Sequence, residues 1–138
     1  MNLRRGLDCV VLGVLWGLLT FLLGRRAFGP AIWPGLFASP LIGLVVGLAL
    51  QERFESARPG VRRVISLLSL YLGATIFGMV IGLGTWLGLS PGSRRFPAAV
   101  VESVLGVWWG VTITGFVLAL WPLAHLSHWW IAHRSDRA

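Results

Sequence analysis

The chain has little of the charge that keeps a soluble protein in water. Charged residues make up 12% of its 138 residues, against about 25% in an ordinary soluble domain. Hydrophobic residues make up 56%, and a soluble fold of that composition would expose large apolar patches and aggregate. We therefore expect the lipid bilayer to be the solvent of this protein.

The sequence also lacks the motifs of common catalytic sites. Cys9 is the only cysteine, which excludes an intrachain disulfide. The sequence contains no P-loop, dinucleotide fingerprint or zinc-protease motif, and no pair of nucleophile and general base stands out. These absences predict a protein that is not an enzyme.

Lysine is absent as well, because all twelve basic residues are arginine. They lie in short groups between apolar runs and do not form the basic stripe of a nucleic-acid-binding surface. Arginine suits phosphate headgroups, although a coding bias is an alternative explanation. We expect the lipid bilayer as the partner and no nucleic acid.

Four apolar segments dominate the chain, and they cover residues 7–23, 31–50, 64–89 and 97–126. Each reaches or approaches the roughly 20 residues that cross about 30 Å of hydrocarbon. Helices are expected because no water satisfies the backbone there. We predict a single membrane domain over 1–138, an all-α integral membrane bundle of four transmembrane helices.

Prolines mark irregular places in these segments. Pro97 fits the first turn of the fourth helix, where its missing N–H costs nothing. Pro40 should kink the second helix, which is a feature of many transport sites and also a common packing irregularity. Pro122 should break the fourth helix, so we predict that about 123–133 is an interfacial segment.

An internal repeat is a further hypothesis. The turns that begin at Arg25 and Arg94 are offset by 69 residues, half the chain, and Gly13 and Gly82 share that offset. Two repeated helical hairpins would explain it, and so would coincidence in a low-complexity apolar chain.

The arginines also predict the orientation in the membrane. The end with both termini carries Arg4, Arg5, Arg53, Arg58, Arg62, Arg63, Arg134 and Arg137, and the other end carries Arg25, Arg26, Arg94 and Arg95. The positive-inside rule then places both termini in the cytoplasm, in a bacterial cytoplasmic membrane. The bias is only twofold, so dual insertion stays an alternative.

Glycine pairs at GxxxG spacing occur in every predicted helix, and the pairs that we expect at helix contacts are Gly13, Gly17, Gly43, Gly47, Gly78, Gly82, Gly106 and Gly110. Such pairs let helix backbones approach closely in lipid. They indicate either contacts with partner subunits or other copies, or packing within one bundle.

Two kinds of residue suggest a ligand or ion site. Glu102 is the only carboxylate well inside an apolar segment, where it would serve a proton-coupled transporter or pair with arginine at the interface. Trp16, Trp108 and Trp109 lie near mid-membrane, where they would wall a lipid, quinone or pigment site or provide packing bulk.

Three histidines, His125, His128 and His133, crowd the end of the fourth segment. They would ligate a metal, serve as axial ligands to a haem or chlorophyll-type ring, or face the lipid headgroups. Few other ligands lie nearby and no other segment carries a histidine. We therefore predict an interfacial position and no cofactor or metal.

These patterns lead to three functional hypotheses. The first is a non-catalytic small subunit or scaffold that packs against other membrane helices in a larger complex. The second is a small homo-oligomeric transporter or channel. The third is a redox- or pigment-binding membrane anchor that uses the C-terminal histidines.

The predicted orientation is tested by single cysteines at Ser56 and Ser93. Ser93→Cys should react with an impermeant thiol reagent added to intact cells, and Ser56→Cys should not, because the arginine bias places 51–63 inside. Labelling of Ser56→Cys alone would reverse the orientation, and half labelling of both would show dual insertion.

Overall fold

The computed structural model describes residues 2–88 and 95–137, which form five α-helices and no strand. The helices are α1 (Leu3–Phe28), α2 (Ile32–Ser56), α3 (Pro59–Trp86), α4 (Phe96–Thr112) and α5 (Phe116–Asp136), and a 3₁₀ turn (Gly29–Ala31) joins the first two. The last residue of the third predicted segment and most of the predicted turn at 90–95 lie outside the described residues.

The helices are long and apolar enough for a membrane protein. Two helical stretches, Leu3–Ser56 and Pro59–Trp86, are long and apolar enough to cross a membrane. The bent pair α4 and α5 is a third if the two helices form one span. The first stretch folds back on itself, so that the backbones at Gly13 and Gly43 lie close together. A Cβ added to Gly13 would lie only 2.9 Å from the Gly43 Cα. The first stretch therefore supplies two antiparallel helices, and the predicted all-α membrane bundle is confirmed.

Local backbone chemistry sets the helix boundaries. α1 ends before Gly29, whose φ of 55° is costly for any other residue type. Arg58 is extended, as a residue before proline prefers to be, and Pro59 opens α3. Pro97 lies in the first turn of α4, as predicted.

The helix α2 runs through Pro40 without a break. Proline at this position cannot donate to the carbonyl of Leu36, four residues earlier. The hydroxyl of Ser39 donates to that carbonyl at 2.7 Å and replaces the missing bond. Pro40 therefore does not break α2, because Ser39 supplies the hydrogen bond that Pro40 cannot donate.

The fourth predicted segment, 97–126, is not one helix, which corrects the prediction. α4 ends at Thr112, the chain bends by 92°, and α5 then continues to Asp136. The bend uses Gly115, whose φ is 76°. Pro122 lies inside α5, so the break predicted there is wrong, while the interfacial position of 123–133 stays a prediction. Proline removes one hydrogen bond, whereas a left-handed glycine redirects the chain.

The helices pack antiparallel in chain order. α1 packs on α2, α2 on α3, and α3 on α4, where Gly78 lies against Val104 and Gly82 against Val100. No Cα of α1 lies within 8 Å of a Cα of α4 among the described residues. The bundle is thus open along one side, which we call the α1–α4 gap.

The helix α5 crosses back towards the end of the bundle that holds the N-terminus and the α2–α3 connection, here called the termini end. Leu120 and Ala124 pack on Leu70 of α3, and Arg5 of α1 donates to the Ser135 hydroxyl at 3.0 Å. Both described ends of the chain therefore lie at the same end of the bundle.

The α3–α4 contact predicts a clear difference between two glycines of α3. A Cβ on Gly82 would lie 2.5 Å from the Val100 Cα, whereas a Cβ on Gly73 would meet no heavy atom within 4 Å. Gly82→Leu should lower the free energy of unfolding in micelles by about 1–3 kcal/mol, and Gly73→Leu, the matched control, by much less. Equal losses would mean that close backbone approach does not stabilise this helix pair.

Candidate functional site: an apolar slot open to the side

A cavity of about 340 Å³ lies among all five helices. This volume is in the range of roughly 300–1,000 Å³ that is usual for small-molecule sites. Along α1 its lining runs from Cys9 to Phe28, which at about 1.5 Å per residue is about 28 Å. A cavity of this volume and length must be narrow, and we call it the slot.

The slot borders the α1–α4 gap. Gly106 and Gly110 of α4 line it, together with Gly24 of α1. A Cβ on Gly110 would meet no heavy atom within 4 Å, and a Cβ on Gly106 would meet only the ring of Phe28, at 3.7 Å. The prediction that this pair lies at a close helix contact is therefore wrong within the chain, because the backbones of α1 and α4 do not approach each other.

The structure places the other predicted glycines, Gly13, Gly17, Gly43, Gly47, Gly78 and Gly82, against neighbouring helices, where an added Cβ would come within 3 Å of another residue. Gly13 and Gly43 face each other directly across α1 and α2. These contacts lie within one chain, which is the packing alternative of the two that the sequence left open.

The slot wall is mainly apolar, and most of its hydroxyl groups are already committed. Ser39, Ser69 and Ser127 donate to carbonyls of their own helices at 2.7–2.8 Å. Thr20 does the same to Trp16, at 2.7 Å. The imidazole of His128, which also lines the slot, is the strongest hydrogen-bonding group left there.

The pair Gln51 and His128 joins α2 to α5. The Gln51 Nε2 donates to the His128 carbonyl at 3.1 Å and to the Glu55 carboxylate at 2.9 Å. Its Oε1 lies 2.7 Å from the His128 Nδ1. Because both partners of Nε2 are pure acceptors, the amide has one sensible orientation, and Nδ1 must be the donor to Oε1.

The two histidines flank Phe54, which is 1% exposed. His128 stacks on its ring at 4.9 Å, and His125 meets it edge-on at 5.3 Å. The His125 Nδ1 lies 3.0 Å from the Ser66 hydroxyl, which itself donates to the Arg62 carbonyl. Each histidine is thus oriented through Nδ1 by a partner on another helix.

The prediction that these histidines face the lipid headgroups is wrong for His128. His128 is 6% exposed and bonded to Gln51, instead of being satisfied by water and phosphate. His133 does remain exposed and stacks on Trp129. Within residues 2–88 and 95–137, no group of three or more potential metal ligands forms. The polar Gln51 was the missed signal, because the second predicted segment ends at residue 50.

Charged groups close the termini end around this pair. Arg5 forms an ion pair with Glu55, and Arg134 lies 3.7 Å from Asp8. Arg62 donates to the carbonyls of residues 54, 55 and 57 at the end of α2, where the last carbonyls of a helix lack the N–H donors of a following turn. These three arginines thus fasten α1, α2, α3 and α5 to one another.

Of the remaining predicted site residues, only Trp16 lines the slot. Glu102 is exposed on α4 and does not line the slot. Trp16 does line it and donates to the Ser127 hydroxyl at 3.1 Å. Trp108 and Trp109 are exposed on α4 and lie outside the lining.

No known family, curated protein or solved structure matches the chain. The geometry of the site therefore carries the functional argument alone.

Proposed function

We propose that this is a non-catalytic integral membrane protein that holds one chain-shaped apolar ligand, drawn from the bilayer, in the slot. The observation that carries the proposal is the slot itself. It is apolar, about 340 Å³ in volume and bordered by the α1–α4 gap. A ligand dissolved in the bilayer can enter such a site sideways without passing through water.

The shape of the slot favours a chain over a ring system. Its lining along α1 extends over about 28 Å, and a volume of about 340 Å³ spread over that length leaves a small cross-section. An extended hydrocarbon chain matches that form, whereas a haem or chlorophyll-type ring needs breadth. The third hypothesis from the sequence, a pigment or redox anchor, is therefore less well supported than a lipid-type ligand.

The transporter hypothesis has less support than binding. Glu102 lies outside the slot lining, and the carbonyl that Pro40 would leave free accepts from Ser39. The subunit hypothesis is compatible with the proposal, because a bound lipid and a larger complex do not compete. Exposed apolar side chains on every helix supply surface for lipid or for neighbouring subunits.

We place the protein, as part of the same proposal, in a bacterial cytoplasmic membrane with both termini inside. The arginine bias supports this orientation. The contact between Arg5 and Ser135 supports the part of it that puts both termini on one side. The cysteine labelling described above decides which side that is.

The proposal is tested by filling the slot. Gly110→Phe adds a ring where a Cβ meets open space, so it should occupy the slot without displacing a helix. Ala49→Phe adds the same ring to an exposed position of α2 outside the slot lining. Native mass spectrometry of gently extracted protein should show one retained lipid-type ligand per chain in the parent and in Ala49→Phe. Gly110→Phe should lower that occupancy tenfold or more.

Equal occupancy in the parent and in Gly110→Phe would place the ligand outside the slot and contradict the proposal. A stoichiometric chromophore in the absorption spectrum would contradict it as well and would favour the pigment anchor.

A further inference from the structure

We infer that the slot, if it holds a chain-shaped ligand as proposed, selects a long-chain alcohol, whose hydroxyl donates to the Nε2 of His128. The inference deepens the proposed function and rests on it. It follows from the tautomer of His128, from the atom that this tautomer leaves for a ligand, and from the length of the slot.

The tautomer follows from the partners of Gln51. If the amide of Gln51 were turned over, its oxygen would face the His128 carbonyl and the Glu55 carboxylate, and both contacts would be repulsive. In the observed orientation Oε1 accepts from Nδ1 at 2.7 Å. A neutral imidazole with its proton on Nδ1 has a lone pair on Nε2, so Nε2 is an acceptor.

The ring is expected to stay neutral, because burying an imidazolium without a carboxylate partner costs free energy. The nearest carboxylate of the network, Glu55, is already engaged by Gln51 and Arg5. The other group packed on the ring is Phe54, which His125 of the same helix meets from another side. None of these contacts supplies a charge that would hold a second proton on His128.

The Nε2 atom remains available to a ligand. It makes no hydrogen bond with the described residues, since the only ring contact of His128 with a polar atom is made by Nδ1. No fully buried side-chain nitrogen or oxygen of the described residues lacks a partner, so Nε2 keeps accessible surface. His128 lines the slot, and we take the slot as the space that Nε2 faces.

An acceptor at the end of an apolar slot selects the head group of the ligand. A hydroxyl can donate to Nε2 and remain neutral. A quinone or ester carbonyl would place an acceptor against an acceptor, and a carboxylate or phosphate would add a buried charge. An ammonium head would donate, but its burial would also be costly. The alcohol is the head group that satisfies Nε2 at the lowest cost.

The length of the slot selects the chain. His128 and Ile131 line it near the termini end, and Phe28 lines it at the far end. The length of about 28 Å is close to the roughly 30 Å of the whole hydrocarbon core. The acyl chain of an ordinary lipid reaches only about half of that core, so a longer single chain is needed to fill the slot.

The test compares docosanol, a straight-chain alcohol whose extended chain is close in length to the slot, with its methyl ether, which keeps the chain and removes the donor. Binding of each radiolabelled probe is measured for the protein in nanodiscs. The parent should bind the alcohol about three- to tenfold more tightly than the ether, as expected from one hydrogen bond. Gly110→Phe should lose both probes.

Two asparagine variants separate the hydrogen bond from general packing. His128→Asn keeps a side-chain N–H for Gln51 but has no atom at the Nε2 position, so it should bind the alcohol only as tightly as the ether. His125→Asn makes the same change one turn earlier, beside Ser66 and outside the slot lining, and it should keep the preference of the parent.

The outcomes distinguish the two proposals. If the parent and His128→Asn bind both probes equally tightly, and Gly110→Phe binds neither, the hydroxyl inference is overturned while the chain-binding function stands. If neither probe binds to the parent, both the inference and the choice of a chain-shaped ligand are overturned.

Discussion

The contact between Gln51 and His128 is the interaction on which the rest of the structure depends. Helix α5 touches each of the other four helices, and this pair fixes its middle to α2 through two hydrogen bonds. In an apolar surrounding such bonds are strong, and leaving either partner unpaired is costly. Trp16 and Ser127 add a bond to α1, while Arg5 and Ser135 add another nearer the end of the chain.

The slot is a consequence of where α5 is held. After Gly115 the chain turns away from the α1–α4 gap and runs towards the termini end, so no helix fills the gap. Gly110 helps to leave the space open, because a Cβ there would meet no heavy atom within 4 Å. In water such an apolar cavity would be a loss of packing, but within a bilayer hydrocarbon chains are available to fill it. His128, a member of the polar network that fastens α5, also lines this space.

Much of the fold could be predicted from the sequence, because a membrane reduces the choice to apolar helices. The close contacts at Gly13, Gly43 and Gly82 could be predicted as well, because regularly spaced small residues in membrane helices commonly mark helix contacts. The bend at Gly115 could not, because a glycine in an apolar run looks the same whether its φ is positive or negative. The Gln51–His128 pair was missed because its members are 77 residues apart in the chain, and only the path of α5 brings them together.

The central claim is that this pair locks α5 in place. Its most direct test is the distance between spin labels at Met79 and Leu126, which are both exposed, measured by double electron–electron resonance. With Cys9 replaced by serine to avoid a third label, the protein should give one narrow distance distribution. Gln51→Leu should broaden or shift it, because the Nδ1–H and the carbonyl of His128 lose their partner. Glu52→Leu, the same apolar replacement at the next, exposed residue, should leave it unchanged. An unchanged distribution in Gln51→Leu would contradict the account.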